Sequence, residues 1–358
     1  MKFQSKLYQE DIEYVAGLDL DWDALKGKTI MVTGASGMIG TFLIDVLLYR
    51  NLSFQNEITV LAVSRNRKKL EQKFSAYEKL DLFHIVEHDV SKEMALKDQC
   101  DHIIHGASNT HPIEYANDPI GTITTNILGT YHLLEYAAKQ TNCQMVLLSS
   151  VEIYGENQTD IHRFSEKDCG YIDCNTVRAG YPESKRLSEA MLQAYRSQKD
   201  IHTVSVRLCR TYGPTVERDD SKALSQFIEK AVKGEDIVLK SQGNQFYSYI
   251  YVADAVSAIL YSMLKGTDGE AYNVADPGSD ATLKELAESL ATSAGTSVIF
   301  ELPDVGEQKG YSTATRALLD AGKLKKLGWQ AKYAIGEGLE RTVDMLKGTS
   351  DFRTYGKG

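Results

Sequence analysis

The sequence predicts an α/β protein: a Rossmann-type, doubly wound parallel sheet joined to a smaller C-terminal substrate-binding lobe. Three observations carry this. Between residues 29 and 207, short apolar runs alternate with helical patterns, as in a parallel sheet covered by helices on both faces. The first run leads straight into a glycine turn, Thr33-Gly34-Ala35-Ser36-Gly37-Met38-Ile39-Gly40. Further along, Tyr181 and Lys185 stand four apart, about one helical turn, so a phenol and an ammonium share one helix face.

Taken in order, Thr29 to Thr33 reads as a buried strand and Ile39 to Tyr49 as the helix after it. Glu57 to Val63, His84 to Glu87 and His102 to His105 read as strands. Ile123 to Lys139 is a long helical pattern, and Gln144 to Ser150 is the next strand. Tyr181 opens a helix reaching about Gln198, and Thr203 to Arg207 is a further strand. After about Arg210 the pattern is less regular. Ala223 to Lys233 and Leu283 to Ala294 read as helices, Ile237 to Leu239 and Val298 to Phe300 as short strands. Ile250 to Met263 and Ala271 to Val274 read as returning to the large domain. The expected division is residues 1–26 as an N-terminal extension and 27–209 as the cofactor domain, with returning segments at about 250–275. Residues 210–249 and 276–347 form the second lobe, and 348–358 a tail. Parallel sheets bind ligands at the carboxyl ends of their strands, where Gly34, Ala107, Ser150 and Arg210 fall.

Composition narrows the function. The chain is 42% hydrophobic and 25% charged, an ordinary globular balance. A net charge of −9 argues against a general nucleic-acid binder, which needs a basic face. Five cysteines, an odd number without a Cys-x-x-Cys pair, suit a reducing cytoplasm better than a disulfide framework or a zinc site. No His/Cys/Asp cluster has metal-ligand spacing. Met1 to Gly27 has no signal-peptide core, and no apolar run is long enough for a bilayer. A soluble, cytoplasmic protein is expected.

The chemistry starts from the Tyr/Lys pair. A phenol titrating near 10 is a poor base at neutral pH, but an adjacent ammonium, and a cationic nicotinamide ring, favour the phenolate. Such a pair is otherwise ordinary helix surface. In the glycine turn, Gly34 permits the turn, Gly37 lets a diphosphate approach the backbone and Gly40 lets helix pack on strand. The spacing is Gly-x-x-Gly-x-x-Gly, not the general dinucleotide fingerprint, and plain loop packing is the alternative. At the end of the second strand stand Ser64-Arg65-Asn66-Arg67, with no acid for a ribose hydroxyl. Arg65 leaves NADP open beside NAD, or is simply the solvated start of a helix. Asp89-Val90 can meet an adenine amine or serve as a turn.

These residues resemble the extended short-chain dehydrogenase/reductase family, in particular its nucleotide-sugar epimerases, dehydratases and decarboxylases. The resemblance runs from about Lys28 to Leu346. Besides the glycine turn it rests on Asp89-Val90, His105-Gly106-Ala107-Ser108, Asn126-Ile127-Leu128-Gly129-Thr130 and Ser149-Ser150-Val151-Glu152-Ile153-Tyr154-Gly155. Tyr181 with Lys185, Arg207 through Tyr212-Gly213-Pro214, and Lys326-Leu327-Gly328-Trp329 complete it. It implies a bound nicotinamide cofactor, NAD by default, held by Gly34, Ser36, Gly37, Met38, Ile39, Gly40, Ser64, Arg65, Asp89, Val90, Ala107, Ser108, Asn126, Tyr181 and Lys185. It implies Tyr181 as acid/base, Lys185 lowering its pKa and binding the nicotinamide ribose, and Ser150 on the reacting sugar oxygen. Glu152 joins them as a catalytic candidate, with a carboxylate satisfied by backbone N–H groups as the alternative. His111, Ser150, Arg178, Arg210 and Tyr247 are the expected substrate contacts, although His111 can equally be a plain loop histidine. The implied partner is a nucleotide-diphospho-sugar, with no nucleic acid and no membrane, and a homodimer built through helices is the family habit.

The branches differ around the shared pair. A 4,6-dehydratase carries an Asp-Glu pair where this chain has Val151-Glu152, and Val cannot donate a proton. Decarboxylases place an Arg in a Gln-x-Arg segment where this chain has Gln245-Phe246-Tyr247. Arg210, where Asn commonly precedes the Thr, can bring positive charge from another direction. Glu152 and the run Arg178 to Arg186 lean toward the decarboxylase branch. Epimerisation needs least, so the leading expectation is a nucleotide-sugar epimerase. UDP-glucuronate decarboxylation, 4,6-dehydration, NADPH-dependent keto-sugar reduction and a non-catalytic cofactor-sensing scaffold are the alternatives. Glu217 to Asp220 can touch a ligand or form a surface turn.

Overall fold

β1 (Thr29–Thr33) is buried along almost its whole length, as expected of a strand covered on both faces. It is an inner strand of a seven-stranded parallel sheet. The computed structural model describes residues 5–96, 99–110, 117–157, 161–217, 220–301 and 315–348. The other strands of this sheet are β2 (Thr59–Ser64), β3 (Phe83–Glu87), β4 (His102–His105), β5 (Gln144–Ser150) and β6 (His202–Leu208). Two short strands outside this sheet, β7 (Arg210–Tyr212) and β8 (Ile237–Leu239), come next in the chain, then β9 (Phe246–Tyr251). β10 (Ala271–Val274) then returns to the large sheet, giving the order β3-β2-β1-β4-β5-β6-β10 with every pairing parallel. The order reverses beside β1, so the crevice at the carboxyl ends of β1 and β4 is the switch point where such sheets take ligands.

The helix Met38–Phe54 follows β1 directly and is buried along most of its length. Helices Pro119–Ala137 and Gly180–Lys199 pack against each other. Buried hydroxyls tie them: Thr130 Oγ1 donates to Ser188 Oγ at 3.0 Å, and Asn126 Nδ2 to Ser184 Oγ at 2.8 Å.

Beyond β6 a second sheet forms around β9. β7 and β13 (Arg316–Ala317) pair with it in parallel and β11 (Asp280–Thr282) antiparallel, while β12 (Val298–Phe300) pairs β8 alone. Helices Ala223–Lys233, Leu283–Ala294 and Ile335–Lys347 pack together beside this second sheet. The Leu283 helix opens on a capping box: Thr282 Oγ1 accepts from Glu285 N–H, and the Glu285 carboxylate accepts from Thr282 N–H.

The first residues are built in rather than appended. Helix Lys6–Ala16 packs on helices Met38–Phe54, Val252–Lys265 and Ile335–Lys347. Its fully buried Asp11 accepts from Tyr251 Oη at 2.6 Å and Arg341 Nη2 at 2.7 Å. A buried carboxylate is tolerated only with such partners, so this helix ties β9 to the helix Ile335–Lys347. Among the described residues no helix is long and apolar enough to cross a membrane.

Candidate active site

A cavity of about 740 Å³ runs from the glycine turn to Tyr247 and Tyr249 of β9. Gly34, Ser36, Gly37, Met38, Ile39 and Gly40 form its first wall. Gly34 sits at φ +70°, and a Cβ there would lie 2.6 Å from Gly106 O, so only glycine fits. At Gly37 a Cβ would meet nothing closer than Gly34 O at 3.2 Å. The helix starting at Met38 has no side chain capping it, so its first-turn N–H groups lack side-chain acceptors where they line the cavity. An uncapped helix start lining a cavity suits a pyrophosphate, and the nicotinamide dinucleotide expected from sequence fits here.

At the ribose end, Ser64 Oγ and Ser36 Oγ lie 3.4 Å apart, and Arg65 Nη2 reaches Asn109 Oδ1 at 3.5 Å. Lys69 pairs with Glu217 at 2.6 Å, and Thr215 Oγ1 donates to Met38 O at 2.9 Å. The segment after Tyr212-Gly213-Pro214 therefore lies against the cofactor wall, and Glu217 lines the cavity. The sequence reading weighed Glu217 as a surface turn. Its place just after a family motif was the available signal.

Val90, Ala107 and Ser108 also line the cavity. Two expected cofactor contacts do not. Asp89 Oδ1 accepts from the Ser91 N–H and hydroxyl at 3.0 and 2.8 Å, and the buried Asn126 donates its Nδ2 to Ser184 Oγ while its Oδ1 has no hydrogen-bond partner among the described residues. His111 lies outside the described residues.

Tyr181 and Lys185 stand one turn apart at the start of helix Gly180–Lys199, both buried and both lining the cavity. Lys185 Nζ donates to Leu148 O at 2.9 Å. Burial pushes its pKa down to about 8, with Glu189 acting in the opposite sense. The ammonium is thus fixed by the backbone of β5. One turn further, Glu189 accepts from Ser149 Oγ at 2.5 Å and Arg207 Nη2 at 2.7 Å, anchoring the helix to β5 and β6.

Ser150 ends β5, and its Oγ accepts from Glu152 N at 3.2 Å. Glu152 Oε2 accepts from Arg178 Nη2 at 2.8 Å, and its Oε1 lies 3.7 Å from Arg210 Nη2. Glu152 is thus held by guanidinium side chains, the alternative to the backbone satisfaction weighed from sequence. Arg210 in turn lies over the Tyr247 ring, 3.4 Å from its centroid. A buried phenol beside an ammonium, a hydroxyl at a strand end and an arginine-held carboxylate, all on one cavity wall, can move a proton at a sugar hydroxyl and bind an anion beside it.

Behind the Tyr/Lys pair, Thr33 Oγ1 and His105 Nδ1 lie 2.8 Å apart, and Ala107 N donates to that hydroxyl at 3.2 Å. Burial, then the charge of Lys185, pushes the His105 pKa down to about 3. The imidazole is neutral, a packing element and not an acid/base.

The chain is similar to UDP-glucuronic acid decarboxylase 3 of Arabidopsis thaliana, 31% identical over 87% of this chain and 86% of that protein. Its fold is similar to the UDP-glucose 4-epimerase of Thermotoga maritima, solved with UDP-glucose, with TM-score 0.75, 23% identity and 88% and 98% of the two chains covered. It is also similar to the UDP-glucuronic acid 4-epimerase of Bacillus cereus, solved with UDP-glucuronic acid and NAD, with TM-score 0.74, 20% identity and 89% and 99% covered. The model of the NAD dependent epimerase/dehydratase family matches residues 30–275, spanning the glycine turn, Ser150 and the Tyr/Lys pair. The chain belongs to that family of enzymes.

Proposed function

We propose that this protein converts UDP-glucuronate to a UDP-pentose and CO2, by oxidation at sugar C4, decarboxylation and re-reduction in one cavity. The observation that carries this reading is Glu152 inside the cavity, held by Arg178 at 2.8 Å and two residues from Ser150. Similarity to decarboxylases along most of both chains supports it. Epimerisation, the leading expectation from sequence, shares the first oxidation but gives no role to this carboxylate–guanidinium pair.

In this reading Tyr181 takes the C4 hydroxyl proton as phenolate, favoured by the ammonium of Lys185 one turn away. Ser150 holds the same oxygen. NAD held along the glycine turn and beside Lys185 would supply the hydride acceptor at C4 and the donor for the later reduction. With C4 a ketone, the C6 carboxylate belongs to a β-keto acid. The C5–C6 bond breaks, its electron pair passes into the C5–C4–O system and CO2 leaves. C5 takes up a proton, and Tyr181 returns its own proton to O4. One proton is consumed overall and the cofactor ends unchanged. Arg178 keeps Glu152 in place as an acceptor for a sugar hydroxyl.

The test is product analysis after incubating the purified protein with NAD and UDP-glucuronate. CO2 with a UDP-pentose is expected. A C4 epimer without CO2 would put epimerisation in its place, and stoichiometric NADPH demand would point to a reductase.

A further inference from the structure

Strand β7 brings a guanidinium to the cavity that the sequence motifs do not require. Arg210 pairs in register with Tyr249 of β9, and its side chain crosses to the Tyr247 ring, 3.4 Å from the centroid. Cation–π contact fixes the plane of the guanidinium. Its Nη2 is 3.7 Å from Glu152 Oε1, beyond hydrogen-bond length, and its Nη1 is buried with no hydrogen-bond partner among the described residues. Buried donors without acceptors are costly and call for one.

The charges make the same point. Arg178 and Arg210 contribute two positive charges and Glu152 one negative, all lining the cavity. One further carboxylate neutralises the group. A sugar with a neutral hydroxymethyl leaves a guanidinium charge uncompensated in a partly desolvated site. The cluster also sits at the reacting end: Glu152 is two residues from Ser150, and Arg178 three before Tyr181. A diphosphate bound there would carry the sugar past the Tyr/Lys pair.

We propose that Arg210, held flat by Tyr247, is the residue that selects nucleotide-sugars bearing a carboxylate on the sugar and pairs with that carboxylate. This rests on the reading that the cavity takes a nucleotide-diphospho-sugar. It also accounts for Tyr247, which supplies an aromatic bed for a cation arriving from the neighbouring strand.

The test measures dissociation constants for UDP-glucuronate, UDP-glucose and UDP on the NAD-loaded Tyr181→Phe protein, with and without Arg210→Gln or Arg210→Lys. Arg210→Gln is expected to weaken UDP-glucuronate roughly tenfold or more, as for loss of a charge-assisted contact. UDP-glucose and UDP should move less than about twofold, and Arg210→Lys should recover part of the loss. Equal weakening of all three ligands would overturn the proposal in favour of a diphosphate contact or a structural role. So would unchanged binding. An Arg210 protein that binds UDP-glucose as tightly as UDP-glucuronate overturns it without any Arg210 variant. Preferential binding of UDP-glucuronate without CO2 release by the wild type would remove the decarboxylase reading and leave the carboxylate site standing.

Discussion

Replacing His105 with Gln removes one titration from the heart of the fold, and the size of the effect follows from two numbers. In the folded protein burial, aided by the charge of Lys185, pushes this imidazole down to about 3. In the unfolded chain it titrates near 6.5. The folded state therefore binds fewer protons between these values, so stability is complete above pH 6.5 and is lost as pH falls toward 3. At about 1.4 kcal/mol per pH unit, lowering the pH from 6.5 to 5 costs about 2 kcal/mol through this residue alone. Urea denaturation of wild type and His105→Gln at pH 7.5 and pH 5 measures it. The wild type is expected to lose about 2 kcal/mol more than the variant between the two conditions. The variant itself starts less stable, because the Thr33–His105 contact at 2.8 Å is changed, and only the difference in pH dependence counts. Equal pH dependence of the two proteins would refute a buried, neutral His105.

Arg341→Met leaves the carboxylate of Asp11 buried with phenol hydroxyls, those of Tyr251 and Tyr333, but no cation on it. A loss of about 3 kcal/mol or more in denaturant titration is expected, and a change below about 1 kcal/mol would show the pair to be solvated. The two glycines of the turn should separate. Gly34→Ala meets Gly106 O and a left-handed φ, so both melting temperature and copurifying nicotinamide should fall. Gly37→Ala meets only Gly34 O at 3.2 Å and should keep stability within about 1 kcal/mol while losing nucleotide. Retained nucleotide in Gly37→Ala would contradict a pyrophosphate at this turn.

Much of the large sheet was legible because its strands are short apolar runs bounded by turns. Thr29–Thr33, His102–His105, Gln144–Ser150 and Ala271–Val274 have the expected ends. Helix Lys6–Ala16 was not read. Its core face sets the charged Asp11 among Ile12, Val15 and Ala16, and the burial of that carboxylate depends on Tyr251 and Arg341 far along the chain. β9 also escaped, since Phe246 to Tyr251 is a polar-looking aromatic run whose burial comes from β7, β11 and β13 around it. In the site, Tyr181, Lys185, Ser150 and the glycine turn were legible from local spacing. Glu152 and Arg178 were picked as kept family features and Arg210 and Tyr247 as departures, but the contacts that join them link four separate segments and were not legible. Asn126 was picked from a family motif, and the tie its Nδ2 makes between two helices joins distant segments that spacing does not show.

CO2 release from UDP-glucuronate by wild type and by Tyr181→Phe, each loaded with NAD, tests the central claim most directly. Removing one hydroxyl from a buried, cavity-lining side chain should keep the fold and ligand binding while lowering the rate by roughly 10²- to 10⁴-fold. Wild-type release of CO2 that Tyr181→Phe matches would contradict it.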